Sequence, residues 1–237
     1  MRHAKFGQWW TENPQRANAN NSVCFTERPD VGMFMREWHS LYESRSGERG
    51  IFNREATRRL LPERRDPNYE FGTNPCSEIV LRGSRLDSKG HPITGSGGQF
   101  CNLSEVVCRS DDTLSSLAKK VRKAAIVGTI QSTLVDFRYL SAAWKKNTEE
   151  ERLLGVSLTG ILGCPALMKA TPKELERLKD VAVATNKRWA EKLGIPQSTA
   201  VTCVKPSGTV SQLVNSSSGI HAWHNNYFIR RVRNDRK

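Results

Sequence analysis

The feature that most constrains the fold of this chain is the alternation of long amphipathic helices with short apolar strands. The clearest helix opens with the capping box TPKE at 171–174 and runs to about Leu193, where Gly194 ends it. The β-branched segment 198–204 follows directly and is predicted to be a strand. Helices of this length between short buried strands are typical of α/β domains, so the sequence predicts an α/β fold with a largely parallel sheet.

Other segments fit the same organisation. Residues 30–44 carry apolar side chains at three- and four-residue spacing, which predicts an amphipathic helix, and a further helix is predicted from Asp112 and Thr113 toward Gln131. The segment 151–163 has the apolar density and glycines of a buried strand with a tight loop, although its pattern also allows a helix. Residues 82–100 are dense in Gly and Ser, which predicts a surface excursion between two strands.

Composition excludes several classes of protein. Hydrophobic residues make up 37% of the 237 positions, and no apolar run approaches the roughly 20 residues that cross a bilayer. The first 16 residues lack the continuous apolar region of a secretory signal, so the cytoplasm is the expected compartment. The six cysteines are scattered without a CxxC pair, which argues against a disulfide framework and a zinc ribbon. His221 and His224 lack further ligands, so no metal site is predicted.

The formal charge of +13 at pH 7 would attract any polyanion. Nucleic acid, nucleotide phosphates and an acidic protein are all compatible with it. The basic residues are spread through many segments and do not interleave with aromatic residues, so each cluster taken alone is best explained as a solvated surface. The net charge therefore does not indicate which of these three kinds of partner the chain binds.

The most informative short motif is NPCSE at 74–78, on a loop just before a predicted strand. Taken alone, Cys76 could be a buried small side chain in a polar turn, an activated nucleophile or a radical carrier. A nucleophile would need a cationic setting to lower the thiol pKa, whereas the Glu78 carboxylate would raise it. Homolytic S–H chemistry has no such requirement, and a nearby carboxylate could handle a substrate hydroxyl proton.

A second motif, PSGT, follows the predicted strand 198–204. Its backbone N–H groups and hydroxyls could cradle a phosphate, with Lys205 as a possible electrostatic helper. An ordinary strand-to-helix turn would give the same pattern. The candidate phosphate-binding residues are Pro206, Ser207, Gly208 and Thr209.

Taken together, these motifs resemble those of ribonucleotide reductases. NPCSE is similar to the finger-loop motif of that family, and further segments follow in family order over nearly the whole chain: RANANNSV, SGERGIFNR, FCNLSEVV, ERLLGVSLTG and KPSGTVSQL. The proline before the cysteine, the PSGT form and SGERGIFNR are more similar to the adenosylcobalamin-dependent class II type, in its monomeric branch, than to the di-iron type.

The resemblance implies a fold and a division of the chain. Residues 1–237 would be the central to C-terminal part of a catalytic ten-stranded α/β barrel, present only in part. A finger loop at about 71–80 would lie at its centre, the excursion at about 82–100 at its surface, and a phosphate loop at about 205–210 beside the substrate.

The resemblance also implies roles for individual residues. Cys76 would become the thiyl radical that abstracts the ribose 3′-hydrogen, Glu78 would take the 3′-hydroxyl proton, and Asn74 would hydrogen-bond the ribose. Cys101 would be one thiol of the pair that reduces the 2′-position, and Asn21 and Ser22 would line the substrate pocket. A cysteine outside the family motifs, such as Cys24, Cys108, Cys164 or Cys203, is more often a core residue than a catalyst.

The same resemblance implies partners. Adenosylcobalamin is the expected cofactor, a ribonucleoside triphosphate or less favourably a diphosphate the substrate, and a thioredoxin-like dithiol the external reductant. The second active-site thiol and the C-terminal cysteine pair are missing, so the chain is expected to be either a split gene product that docks with companion polypeptides or a truncated remnant. Neither a membrane nor direct nucleic-acid contact is expected. Two alternatives remain open at this point: a radical delivered by a separate metal-containing subunit, and a non-catalytic basic protein that binds nucleic acid or another partner.

Overall fold

The computed structural model describes residues 4–18, 21–44 and 49–229. Part of the SGERGIFNR motif and the basic segment 230–237 lie outside these ranges. The described helices are α1 (Trp9–Glu12), α2 (Val31–Ser44), α3 (Arg54–Arg59), α4 (Leu114–Gln131), α5 (Ala142–Glu151), α6 (Pro165–Met168), α7 (Pro172–Leu193) and α8 (Gly208–Leu213). The strands are β1 (Asn21–Phe25), β2 (Arg49–Asn53), β3 (Tyr69–Thr73), β4 (Val80–Leu86), β5 (Pro92–Ile93), β6 (Leu103–Val107) and β7 (Gly155–Thr159).

The strands form three small sheets. Two are parallel pairs, β1 with β2 and β6 with β7, and the third is the antiparallel order β3-β4-β5. A parallel bridge from Thr202 to Val156 adds the 198–204 segment to β7, although only this bridge forms where a full strand was predicted. The α/β class is confirmed. The partial ten-stranded barrel is not, because the strands of the described ranges are short and their ladders do not join the three sheets.

The predicted helices are present with nearly the predicted limits. In α7 the Thr171 hydroxyl accepts a hydrogen bond from the Glu174 N–H, and the Glu174 carboxylate accepts one from the Thr171 N–H. Gly194 closes the helix at φ +65°, a conformation that favours glycine. Helix α4 opens with a similar box between Thr113 and Ser116. Within the described ranges, no helix combines the length and apolarity needed to cross a bilayer.

The main core lies between the β6–β7 pair and the two long helices, α4 and α7, which pack against each other. Helix α4 comes so close to the start of β7 that a Cβ at Gly128 would collide with the Leu154 side chain. The buried apolar side chains of this core include Leu117, Val121, Ala125, Leu154, Val156, Leu178 and Ala182.

A buried ionic network links the antiparallel sheet to the end of α5. The Glu151 carboxylate, at the end of α5, accepts hydrogen bonds from Arg65 Nε at 3.0 Å and from Gln99 Nε2 at 2.6 Å, and it lies 3.1 Å from Arg82 Nε. The side chains of Arg65, Arg82 and Glu151 are almost entirely buried. The predicted excursion at 82–100 therefore begins as the second half of β4 and ends in this network, with only its middle part exposed.

Candidate active site

The NPCSE motif forms the turn between β3 and β4. The Asn74 N–H donates to the Ile79 carbonyl at 3.2 Å, and the Ile79 N–H donates to Asn74 Oδ1 at 3.0 Å, so one residue closes the loop through both its backbone and its side chain. Ser77 has φ +63°, which reverses the chain between Cys76 and Glu78. Cys76 is exposed at the tip, whereas the Glu78 side chain is fully buried.

Lys205 is the ion-pair partner of Glu78. The Lys205 Nζ donates to Glu78 Oε1 at 2.8 Å, and the lysine side chain is only 18% exposed. The other carboxylate oxygen, Oε2, is buried and has no hydrogen-bond partner among the described residues. Burial acts to raise the pKa of Glu78, but the hydrogen bonds from Lys205 and the Asn74 amide outweigh it and hold that pKa below its ordinary value. The site thus contains an ionised carboxylate with one unused acceptor.

Two further thiols lie within electrostatic range of this carboxylate. Burial and then the negative charge of Glu78 raise the pKa of Cys101. Burial, Glu78 and Cys101 together raise the pKa of Cys203 to about 12. The Cys203 sulfur lies 2.9 Å from the point that a Cβ at Gly155 would occupy, where the ends of the Ile79 and Leu103 side chains also converge. The structure therefore brings Glu78, Cys101 and Cys203 into one cluster.

The 205–210 segment is held by its neighbours. The Lys205 N–H donates to Ser157 Oγ at 2.9 Å, and the Ser207 hydroxyl donates to Glu105 Oε2 at 2.6 Å. Ser207 precedes α8 and has φ +52°. Its hydroxyl donates to Glu105 and does not cap the helix. Gly208 and Thr209 are exposed. Because the first N–H groups of a helix have no intrahelical partner, these two residues keep donors that an anion could use.

Asn21 and Ser22 lie on a different sheet. They begin β1, opposite Arg49 and Gly50 of β2, whereas Glu78, Cys101 and Lys205 belong to or border the other two sheets. His221 lies 3.0 Å from the Ser218 hydroxyl, in a hydrogen-bonded turn.

Three residues of the site were not assigned to it from the sequence. Cys203 was expected to be an ordinary core cysteine, Lys205 was considered only as a helper for phosphate, and Glu105 was not considered. Glu105 did carry a signal, because it is a charged residue within the apolar stretch of β6. No sequence pattern links Lys205 to Glu78, since these residues are 127 positions apart.

Comparison with known proteins adds an independent line of evidence. No family model matches the chain. The adenosylcobalamin-dependent ribonucleoside-triphosphate reductase of Lacticaseibacillus paracasei is 27% identical over 251 aligned residues, which cover 91% of this chain and 30% of that protein. The probable enzyme of the same name from Dictyostelium discoideum is 28% identical over 242 residues, covering 93% of this chain and 28% of that protein. Over most of its length the chain is similar to adenosylcobalamin-dependent ribonucleoside-triphosphate reductases.

The fold agrees with this relationship. A crystal structure of a B12-dependent, class II ribonucleotide reductase superposes with a TM-score of 0.59 at 22% identity, over 90% of this chain and 32% of that one. The family resemblance predicted from the motifs is therefore confirmed. The chain spans about 30% of the length of the curated reductases it matches.

Proposed function

We propose that this chain carries the radical site of a ribonucleotide reductase and takes part in reducing ribonucleoside triphosphates, or less favourably diphosphates, to deoxyribonucleotides. One observation carries the proposal. Glu78, next but one to the exposed thiol of Cys76, is a buried carboxylate with one oxygen bound to Lys205 and the other unpaired. A buried acceptor without a partner is costly for a fold to keep, which supports a role in binding a donor from a substrate.

The chemistry assigned to the loop is a hydrogen-atom transfer coupled to a proton transfer. Cys76, as a thiyl radical, takes the ribose 3′-hydrogen and becomes a thiol. The unpaired Oε2 of Glu78 accepts the 3′-hydroxyl proton, a role that the lowered pKa of this carboxylate supports because it keeps the base ionised at neutral pH. Asn74 already uses Oδ1 to close the loop, and its amide group acts on Glu78, so a contact with the ribose would share that amide with the carboxylate.

Reduction at the 2′-position needs two electrons. In this proposal the 2′-hydroxyl leaves as water, Cys101 and a second thiol supply the two electrons and become a disulfide, and an external dithiol such as a thioredoxin-like protein reduces that disulfide. The raised pKa of Cys101 keeps it in the thiol form, which can deliver a hydrogen atom or a proton.

The substrate polyphosphate is assigned to the loop 206–209. The exposed residues Gly208 and Thr209 supply N–H donors, while Pro206 and Ser207 shape the turn. The Ser207 hydroxyl is a weaker candidate for direct contact because Glu105 already accepts its hydrogen bond. Asn21 and Ser22 are assigned to the rim of the pocket on the resemblance alone.

Adenosylcobalamin is the proposed cofactor, since both curated relatives named above depend on it. When bound, it supplies the radical that is passed to the protein. The exposure of Cys76 fits this, because a radical source outside the chain could approach that thiol. The remaining contacts with the cofactor are assigned to companion polypeptides.

An uncovered helix supports the idea of companion polypeptides that complete a ten-stranded barrel. In α2 the two buried residues, Glu37 and Ser40, are polar, and Leu41 is partly buried. The apolar side of the same helix is open, and a contiguous apolar surface of this kind marks an interaction site. Its exposed members are Val31, Phe34, Met35, Trp38 and Tyr42.

The proposal is tested by reconstitution. The chain is combined with the polypeptides encoded beside it, adenosylcobalamin, ATP or CTP and a dithiol, and deoxynucleotide formation is measured. Cys76→Ser is expected to abolish product while leaving partner binding intact, and Cys24→Ser serves as the matched control on an exposed cysteine. Full activity of Cys76→Ser would contradict the radical assignment. A cobalt-coupled EPR signal would favour adenosylcobalamin over a separate metal subunit.

A further inference from the structure

The backbone of Lys205 is held on two sides by neighbouring segments. Its N–H donates to Ser157 of β7, as described above, and on the other side the segment near Gly219 approaches its carbonyl so closely that a Cβ at Gly219 would lie 1.9 Å from that oxygen. The Gly219 N–H also donates to the Pro206 carbonyl at 2.8 Å. The lysine side chain therefore extends from a backbone whose position is fixed.

From this point the side chain reaches inward to the finger loop. The Glu78 side chain is 0% exposed and the Lys205 side chain is 18% exposed, so the ion pair is largely removed from water. A lysine whose task is to bind the phosphates of a substrate would be expected to direct its ammonium group toward solvent beside the loop that it precedes. Here the ammonium group is instead 2.8 Å from Glu78 Oε1.

We propose that Lys205 is a positioning residue for Glu78: by binding Oε1, it fixes the carboxylate so that the unpaired Oε2 is presented as the acceptor. The consequence for catalysis rests on the proposed reductase function, but the ion pair itself does not. Lys205 connects the loop that would hold the substrate phosphates to the loop that would act on its ribose. A single side chain would therefore fix the position of one loop relative to the other.

The electrostatic surroundings agree with this role. The groups that act on Glu78 and Lys205 are the thiols of Cys76, Cys101 and Cys203 and the carboxylate of Glu105. Burial alone lowers the pKa of Lys205, but the Glu78 hydrogen bond and charge outweigh burial and raise it. Each partner therefore stabilises the charged form of the other, and without the ammonium group burial would favour the protonated form of Glu78.

The test measures the Glu78 carboxylate directly by carbon-13 NMR over a pH titration, with the Glu78 signal assigned by its loss in Glu78→Gln. Lys205→Met is expected to raise the pKa of Glu78 by about 1–3 units, the usual effect of losing a close opposite charge. Lys205→Arg should restore most of the shift. Lys187→Met, at an exposed lysine of α7, is the matched control and should change nothing.

Binding of inorganic triphosphate separates the two roles of the lysine. If Lys205 positions Glu78, Lys205→Met alters triphosphate affinity by less than about threefold while the pKa of Glu78 rises. Loss of triphosphate binding with an unchanged Glu78 pKa would overturn the proposal and make Lys205 a phosphate ligand. If the wild-type chain binds no triphosphate at all, the phosphate assignment under the proposed function fails while the pKa result still decides the role of Lys205.

A second measurement covers the case in which Lys205→Met does not fold. The pKa of the Lys205 ammonium is followed in wild type and in the nearly isosteric Glu78→Gln. Because Glu78 raises that pKa, it should fall in the variant, and an unchanged value would overturn the proposal.

Discussion

Glu105 and Ser207 are 102 positions apart in the sequence, yet a 2.6 Å hydrogen bond joins them. The same Glu105 oxygen accepts a hydrogen bond from the Thr159 hydroxyl at 2.8 Å. One carboxylate thus connects β6, β7 and the loop that precedes α8. This contact fixes the shape of the candidate phosphate loop, whose serine has a left-handed conformation that L-residues seldom adopt.

Replacing Glu105 should therefore loosen the loop. Glu105→Ala leaves the Ser207 and Thr159 hydroxyls without their acceptor, and we expect a loss of about 1–3 kcal/mol in the free energy of unfolding, measured by urea titration. Glu105→Gln keeps an acceptor oxygen and should cost less. Equal stability of the alanine variant and wild type would show that this contact does not hold the loop.

Cysteine reactivity should separate the thiols by exposure and pKa. Cys24 and Cys76 are exposed and should be alkylated first by iodoacetamide at pH 8. Cys203 should be among the slowest, because burial, Glu78 and Cys101 raise its pKa to about 12 and leave very little thiolate. Peptide mass spectrometry at several times gives the order. In Glu78→Gln the rate at Cys203 should increase, and labelling of Cys203 as fast as Cys76 in wild type would contradict the described packing.

The buried network around Glu151 should be sensitive to charge removal. Glu151→Ala leaves Arg65 and Arg82 buried without their shared carboxylate, and we expect a loss of about 3–5 kcal/mol in the free energy of unfolding. Glu176→Ala, at an exposed position of α7, is the control and should change stability by less than about 0.5 kcal/mol. A similar small effect in both variants would mean that the network is not formed.

Acid should destabilise the fold in part through Asp112. Burial acts to raise the pKa of Asp112, but hydrogen bonds from Lys120, Ser116 and the Arg109 N–H outweigh it and lower that pKa. The folded pKa lies below the unfolded value of about 3.9, so the contribution is complete above that pH and disappears as the pH falls through the folded value. Thermal unfolding between about pH 6 and 2 should therefore change less steeply in Asp112→Asn than in wild type.

The local features of the fold could be predicted from the sequence because short-range rules determine them. The Thr171 capping box and Gly194 set the ends of α7, and Thr113 sets the start of α4. Helix α2 was also predicted, but its apolar side is open instead of buried, because the sequence period specifies which side is apolar and not what covers it. The short strands were located, while their division into separate sheets depends on pairing between distant segments.

Of the candidate site, too, only part could be predicted from the sequence. Its motif residues, Cys76, Glu78 and Cys101, could be named from the resemblance. The contacts that tune them could not, because the partners Lys205, Glu105 and Cys203 are brought together only by the packing of β6 and β7 against the turn between β3 and β4. Helix α5 and its Glu151 network were missed for a related reason: a buried carboxylate between two arginines has the sequence pattern of an ordinary charged surface.

Gly155 limits how the NPCSE loop can be transferred to another protein. Ile79, Leu103 and Cys203 all come within 3 Å of the space that a methyl group at position 155 would need. Even alanine would therefore push against the residue that follows Glu78 and displace the Glu78 carboxylate. A chimera that places NPCSE in another protein would need a glycine at the equivalent point beside the loop, so the loop can be transferred only together with this glycine.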